Sequence, residues 1–358
     1  MPQPILYFAI TNHGFGHTTR SAAIAAEIQR LCPNVLLILV TTAPRWLLEA
    51  YIPGDFIHRP RGFDVGVVQR DSLTMDKAAT LEKLRQLRSQ QNSIIAAEVS
   101  FIQQNRVSLV LADIPPLAAA IAHTANIPCW MISNFGWDFI YRHWGGEFGE
   151  IADWMAAHFA QCDRLFRLPL HEPMSAFPVI TDVGFTGGSP RHSIAELQQD
   201  LQLTMPLERT VLLTFGGLGL QEIPYHNVQR FPDWQFFTFD RPPSTFANLH
   251  QVERDRYRPV DLMPICGRVL SKPGYSTFSE ACRTRTPLVS ITREDFAEAP
   301  ILIDAVQHYI PHQILAPADF FQGNWDFLHQ PLQSPKQVNP VIEDGNRTIA
   351  EAVLNFWQ

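Results

Sequence analysis

The chain has 358 residues, 46% hydrophobic and 18% charged, which makes a globular chain long enough for two cores of ordinary domain size. A net charge of −7 with no Lys/Arg run argues against nucleic acid as a main partner and offers no polybasic membrane anchor. Five cysteines (Cys32, Cys129, Cys162, Cys266 and Cys282), odd in number and without a CxxC, point to neither a disulfide framework nor a zinc site, and are expected to be reduced, mostly buried thiols of a cytoplasmic protein.

In chain order, residues 5–10 read as a buried strand, too short and too lacking in preceding basic residues for a signal peptide. No other run approaches a membrane span, which leaves only peripheral membrane contact open. A glycine-bearing loop at 11–17 leads to a helix at 18–31 with a small-residue face at Ala22, Ala23, Ala25 and Ala26. Residues 35–40 and 56–58 read as strands around a helix at 43–51. The polar loop 61–76 breaks the alternation before a long helix at 77–104, and loops of that length are often functional. A strand ending at Asp113, a helix at 117–125, a strand at 128–133, an aromatic loop at 134–146, a helix at 150–161 and a strand at 164–168 follow. Residues 169–190, with their prolines, glycines and serines, read as a connector.

The second half restarts with a helix at 194–203 and a strand at 211–215, followed at once by Gly216, Gly217 and Gly219. Further strands are expected at 234–238, 268–270 and 288–291, a helical turn at 261–266, and helices at 299–306, 320–328 and 343–357. Repeated βαβ units imply parallel sheets with helices on both faces. The expected fold class is therefore α/β, with two doubly wound, Rossmann-like domains facing across a cleft. The boundaries fall at 1–186 for the first domain, 187–342 for the second, and 343–358 for a closing helix that can pack back on the first.

The stretch 271–283, SKPGYSTFSEACR, carries the sharpest chemistry. Gly274 lets backbone approach a ligand, Ser276 or Thr277 is placed to cap a helix, and the first-turn N–H groups then form a seat for a diphosphate. Glu280, four residues after Ser276 and on nearly the same face, can take both hydroxyls of a ribose. The plainer alternative is a capped core helix with a solvated Glu280. In TNHGFGHTTR, residues 11–20, Gly14 and Gly16 permit a tight turn, but Thr19 stands where a dinucleotide fingerprint needs its third glycine, so NAD is disfavoured. His13 and His17 lie at the carboxyl end of the first strand, where a neutral imidazole can take a proton from an acceptor hydroxyl. Asp113, on the same rim, can orient His17, or else cap the helix after Pro115 and Pro116. The loop holding Asn134, Trp137 and Asp138 suits a sugar ring or a domain interface equally. Arg293, Glu294, Asp295 and Glu298 follow a strand; the carboxylates can read sugar hydroxyls while Arg293 or Lys272 offsets diphosphate charge, and a solvated loop is the alternative. Neither a DxD, a P-loop lysine nor metal-ligand spacing is present, so charge neutralisation is expected from helix N-termini and protein cations, without a metal or other cofactor.

HGFGHTTR, the FGG of 215–217 and PGYSTFSEA of 273–281 resemble glycosyltransferases of the two-Rossmann (GT-B) architecture, the kind that includes UDP-glycosyltransferases and the peptidoglycan N-acetylglucosaminyltransferase. VGVVQRDSLTMD, SNFGWDFIY and REDFAEAP are more closely similar to the glycosyltransferase-like N-terminal region of plant L-arabinokinase, whose kinase part finds no counterpart here. The resemblance implies a UDP-sugar as co-substrate on the second domain, with Glu280 at the ribose and Gly274, Tyr275, Ser276 and Thr277 at the diphosphate. It places Gly16, Gly216, Gly217, Lys272, Arg293, Glu294 and Asp295 with the donor. His17 becomes the base, Asp113 its partner, and His13, Asn134, Trp137 and Asp138 the acceptor side. The expected activity is metal-independent, inverting transfer to a hydroxyl acceptor. A nucleotide-sugar 2-epimerase and a non-catalytic UDP-sugar-binding module on the same fold stand as alternatives.

Overall fold

The structure, a computed structural model, describes residues 3–69, 73–216, 223–338 and 340–358. They fall into two compact units, one of 3–69, 74–187 and 343–358, the other of residue 73 with 188–342. Both are parallel α/β sheets, the pair of Rossmann-like domains expected from the repeated strand and helix alternation.

The first unit begins with β1 (Ile5–Ile10), α1 (Gly16–Leu31), β2 (Leu36–Val40), α2 (Arg45–Glu49), β3 (Ile57–Arg59) and α3 (Lys77–Gln104). β4 (Leu109–Asp113), α4 (Leu117–Ala125), β5 (Cys129–Ser133), α5 (Trp137–Trp144), α6 (Phe148–Phe159), β6 (Arg164–Arg167) and β7 (Ile180–Asp182) complete its sheet, in the order β3-β2-β1-β4-β5-β6-β7. The inner strands are nearly continuous runs of buried apolar residues, as a sheet covered on both faces requires. The chain winds outward in both directions from β1 and β4, so their carboxyl ends form the topological switch point where such sheets bind ligands.

The second unit runs α7 (Ile194–Asp200), β8 (Thr210–Leu213), β9 (Gln235–Thr238), β10 (Leu249–Gln251), α8 (Pro259–Leu262), β11 (Arg268–Ser271), α9 (Tyr275–Thr284), β12 (Leu288–Ile291), α10 (Glu298–Val306), β13 (His312–Leu315) and α11 (Pro317–Phe321). Its six strands are ordered β10-β9-β8-β11-β12-β13, with the switch point between β8 and β11. Leu73, from the long polar loop of the first half, packs against this unit's core.

The last helix, α12 (Gly345–Trp357), returns to the first unit and lies on α1. Ile349, Ala350 and Val353 are buried on α12, and Ala22, Ala23 and Ala25 are buried on α1. The return depends on a close crossing of two backbones: a Cβ on Gly345 would lie 2.1 Å from the carbonyl oxygen of Gly184. Among the described residues no helix is long and apolar enough to cross a membrane. The five cysteines are unpaired and four of them are buried.

Several elements differ from expectation. The aromatic stretch after β5 is not a loop, because Trp137–Trp144 winds into α5 and buries Trp137, Ile140 and Tyr141. The connector contains β7, and β10 and β13 also went unread; all three are short, and β7 and β10 hold mostly polar residues, so they lack the apolar run that marks inner strands. The expected helix at 320–328 splits into α11 and a 3₁₀ turn at Asp326–His329, with Trp325 between them in the left-handed region at φ 61°. We expect Gly345→Ala to lower the unfolding free energy by about 1–3 kcal/mol, since its methyl group can be accommodated only by shifting backbone. Urea denaturation followed by the α12 residue Trp357, which hydrogen-bonds Ser108, checks this.

Candidate functional site

In the first unit, α1 starts two residues earlier than its apolar pattern suggests, which puts His17 in the helix's first turn rather than in the loop before it. Ile10 pairs with Asp113 across β1 and β4, so the ends of these strands sit at one edge of the sheet. There His17 Nδ1 lies 2.8 Å from Asp113 Oδ1, and both residues are buried, at 6% and 0% exposure. Nδ1–H donating to the carboxylate is the tautomer that fits this contact, and it leaves Nε2 as the acceptor nitrogen.

Sequence reasoning missed Arg20. It lies one helical turn from His17, is 1% exposed, and grips Asp113 with two donors, Nε to Oδ2 at 2.7 Å and Nη2 to Oδ1 at 2.5 Å. Ser21 adds a bond to Oδ2 at 2.8 Å. Arg20 also donates to Asn134 Oδ1 at 2.8 Å and to Ser133 Oγ at 3.2 Å. Its Nη2 stands 2.9 Å from His17 Nδ1 because both groups donate to the same Asp113 oxygen. Burial by itself would push the Asp113 carboxyl up. Arg20, with His17 and their hydrogen bonds, overcomes that and holds it well below the usual carboxylate range. The helical i, i+3 spacing of His17 and Arg20 was the available signal.

Asp64 was also missed, although the loop that carries it was singled out. Its Oδ2 accepts from Trp137 Nε1 at 3.0 Å and from the Thr11 hydroxyl. Burial pushes its carboxyl up to about 6, against the pull of Thr11, His17 and Trp137. Trp137 itself is fully buried among Phe135, Tyr141, His13 and His17, so it forms the wall under the site instead of an open stacking face. His13 Nδ1 accepts the Val67 N–H at 3.2 Å, which commits that nitrogen to holding the 63–69 loop. Asp138 is half-buried in the first turn of α5, where its carboxylate accepts from its own N–H and that of Phe139. His17, Asp113, Asn134, Trp137 and His13 are thus one cluster, while Asp138 serves its own helix. Gly16, placed with the donor from sequence, opens α1 in this unit.

In the second unit the corresponding switch-point strands are β8 and β11, joined where the Thr214 N–H reaches the Leu270 carbonyl at 3.0 Å. Gly216 takes φ 84°, a left-handed conformation that suits glycine, and a Cβ there would sit 3.7 Å from Lys272 Cε. Gly217 lies outside the described residues. Gly274 is the N-cap of α9, with Tyr275, Ser276 and Thr277 as its first turn; neither Ser276 nor Thr277 caps the helix, because the helix begins before them. Beyond its chain neighbours, no atom lies within 4 Å of a Cβ built on Gly274, so the start of α9 borders clear space on that side. Glu280, 4% exposed, accepts the Gly188 N–H at 2.9 Å. Burial pushes it up to about 7, with Gly188, Arg258 and Arg283 pulling the other way. After β12, Arg293 is buried over the Phe296 ring, Glu294 and Asp295 are exposed, and Glu298 is buried in α10's first turn.

No family model matches the chain. Among solved structures it resembles a UDP-glucose:anthocyanidin 3-O-glucosyltransferase in complex with UDP (TM-score 0.61, 12% identity, 99% of this chain and 93% of that one). It also resembles a UDP-glucosyltransferase from Polygonum tinctorium capable of glucosylating indoxyl (0.60, 14%, 90% and 88%) and the spinosyn forosaminyltransferase (0.58, 12%, 99% and 95%). These likenesses show the fold, the two-domain GT-B architecture of glycosyltransferases. In sequence the chain is similar to L-arabinokinase of Arabidopsis thaliana, 28% identical over 357 residues. That match covers 95% of this chain and 33% of the relative, so the chain spans about a third of the relative's length.

Removing Arg20 leaves Asp113 buried without its cation. We expect Arg20→Met to cost about 3–5 kcal/mol in urea unfolding. Arg20→Lys, which cannot reproduce the fork, should recover only part of this. Because Asp113 is depressed in the folded chain, its stabilising contribution is fully present above about pH 4 and is lost as pH falls further, so the difference between wild type and Arg20→Met should shrink in acid.

Proposed function

We propose that the chain is a glycosyltransferase that moves a sugar from a nucleoside-diphosphate donor, a UDP-sugar, to an acceptor hydroxyl, with inversion and without a metal. The observation that carries this reading is the His17–Asp113 pair at the switch point of the first sheet, with Nε2 left as the acceptor nitrogen. The structural neighbours, glucosyltransferases that use UDP-glucose among them, support it. Phosphorylation of a sugar, the activity in the name of the sequence relative, is not part of the proposal.

In this mechanism His17 Nε2 removes the proton of the acceptor hydroxyl as its oxygen attacks the anomeric carbon. The bond from that carbon to the diphosphate breaks, and its electron pair leaves with the diphosphate. The proton stays on the imidazole, whose Nδ1–H already faces Asp113. In the second unit the leaving charge is met by the N-terminal turn of α9, assisted by Lys272, whose Cε would lie 3.7 Å from a Cβ on Gly216. Glu280 takes the ribose hydroxyls.

His17→Ala should lower turnover by about 10²- to 10⁴-fold while UDP binding, read by calorimetry, stays as in wild type. Full turnover in that variant would remove the base. Incubating donor alone separates the rivals, since an epimerase returns a new nucleotide sugar and a binding module returns the old one under every acceptor. Glu280→Ala should weaken UDP binding by about 1.5–3 kcal/mol. Ribose hydroxyls donate to the ionised carboxyl, so binding releases a proton and UDP affinity rises as pH climbs through about 7. Glu280→Gln should flatten that dependence, and an unchanged slope would take Glu280 out of the ribose site.

A further inference from the structure

Two polar atoms in the first unit's site are engaged by no described residue: Nε2 of His17 and Oδ1 of Asp64. His17 uses Nδ1 on Asp113, and both donors that hold Asp64, the Trp137 indole and the Thr11 hydroxyl, converge on Oδ2. The same indole supports both groups, with its Nε1 on Asp64 and its ring centroid 6.1 Å from that of His17. Asp64 lies deep in the unit but is only half-buried, so it is not sealed into the core.

The fold has no use for the Asp64 charge. Thr11 and Trp137 need one acceptor oxygen between them, which an asparagine carbonyl also offers. The other enclosed carboxylate, Asp113, is neutralised by Arg20, whereas Asp64 has only neutral donors. An enclosed carboxylate without a cation costs the folded state unless something else uses it.

We propose that Asp64 is a ligand-binding residue of this site: Oδ1 accepts a hydrogen bond from one hydroxyl of a neutral polyhydroxylated ligand, a sugar ring, while a second hydroxyl of the same ligand meets Nε2 of His17. This rests on the glycosyltransferase reading, since it takes His17 as the group facing the reacting hydroxyl. The sugar ring can belong to a free acceptor or to the donor. Ligands carrying a carboxylate or phosphate on this side are disfavoured by like charge.

The ionisable groups around Asp64 are His17 and Arg20 from α1, Asp113 from β4, Tyr141 from α5, and His13 from the loop after β1. Raised by burial to about 6, Asp64 offers a carboxylate above that pH and an acid below it. Sugar binding should therefore weaken as pH falls through about 6. For stability the sign is opposite: between about pH 4, where an unfolded aspartate ionises, and about pH 6, the folded chain holds the extra proton and loses stability as pH rises. Asp64→Asn should then be at least as stable as wild type near neutral pH.

The test uses the full chain and the Trp137 indole N–H resonance, assigned by its loss in Trp137→Phe. Free D-glucose, D-galactose or D-xylose is titrated in one arm, and UDP-glucose with UDP as control in the other. A saturable shift in wild type near neutral pH is expected, weaker near pH 5, with affinity about 10-fold or more lower in Asp64→Asn. A shift with free sugar assigns the ring to the acceptor; a shift with UDP-glucose alone assigns it to the donor. No shift in either arm overturns the proposal. So does an Asp64→Asn variant that binds as tightly as wild type, or one that melts below wild type near neutral pH, since Asp64 would then be structural. UDP binding measured by calorimetry stands apart from these shifts, so a chain that binds UDP yet shows none of them loses this inference and keeps the glycosyltransferase reading.

Discussion

The first unit is arranged around one buried carboxylate. Asp113 accepts from Arg20 twice, from Ser21 and from His17, so four hydrogen bonds from two turns of α1 converge on the last residue of β4. An ion that deep is tolerable only when paired and fully hydrogen-bonded, and Arg20 meets that condition with a planar fork that itself reaches on to Asn134 and Ser133 at the end of β5. The result is a frame that ties α1 to the ends of two strands, β4 and β5. His17 inherits its orientation from this frame, not from packing alone.

The same pairing limits what Asp113 can contribute electrostatically. A lone aspartate beside a histidine gains a neutralising partner when the imidazole takes a proton, whereas here Arg20 has already supplied that charge. Asp113 is therefore better suited to fixing the tautomer and direction of His17 than to stabilising its cation. The carboxylate that carries uncompensated charge beside the site is Asp64, and it arrives from a loop that is also anchored by His13, Tyr141 and Thr80.

The inner strands were legible because each is a run of apolar residues covered on both faces, and the meeting of His17 with Asp113 was legible because parallel strands put the ends of β1 and β4 on one rim. Edge strands such as β10, whose residues are Leu249, His250 and Gln251, carry no such run. Arg20 escaped because a charged residue on a helix reads as solvated until its partner, 93 positions away, is known. Asp64 escaped because a loop has no period that tells which side chain turns inward. Trp137 was read as an open aromatic because its stretch looked like a loop; once α5 forms, the indole is drawn under the site.

Four carboxylates, three buried and Asp64 half-buried, show how structure and ligand binding can be told apart in this chain. Asp113 with Arg20, and Asp261 with Arg258, face guanidinium groups and are held below the ordinary range. Asp64 and Glu280 face neutral donors, each at one oxygen only, and burial drives both upward. A raised carboxyl is not sufficient as a mark, since Glu172 is raised too while its two oxygens are taken by the N–H groups of Gly136 and Met174. What singles out Asp64 and Glu280 is that each has an unspent oxygen and no guanidinium bonded to it, Arg258 and Arg283 acting on Glu280 only through space. Asp64 is held by Thr11 and Trp137 in the first unit and Glu280 lies on α9 in the second, and in the proposed reading each completes its hydrogen bonding with the hydroxyls of a bound sugar or ribose. In that reading the stability forgone by leaving these two carboxylates without a bonded guanidinium is recovered when the ligand's hydroxyls arrive, which couples ligand binding at both places to the loss of a proton.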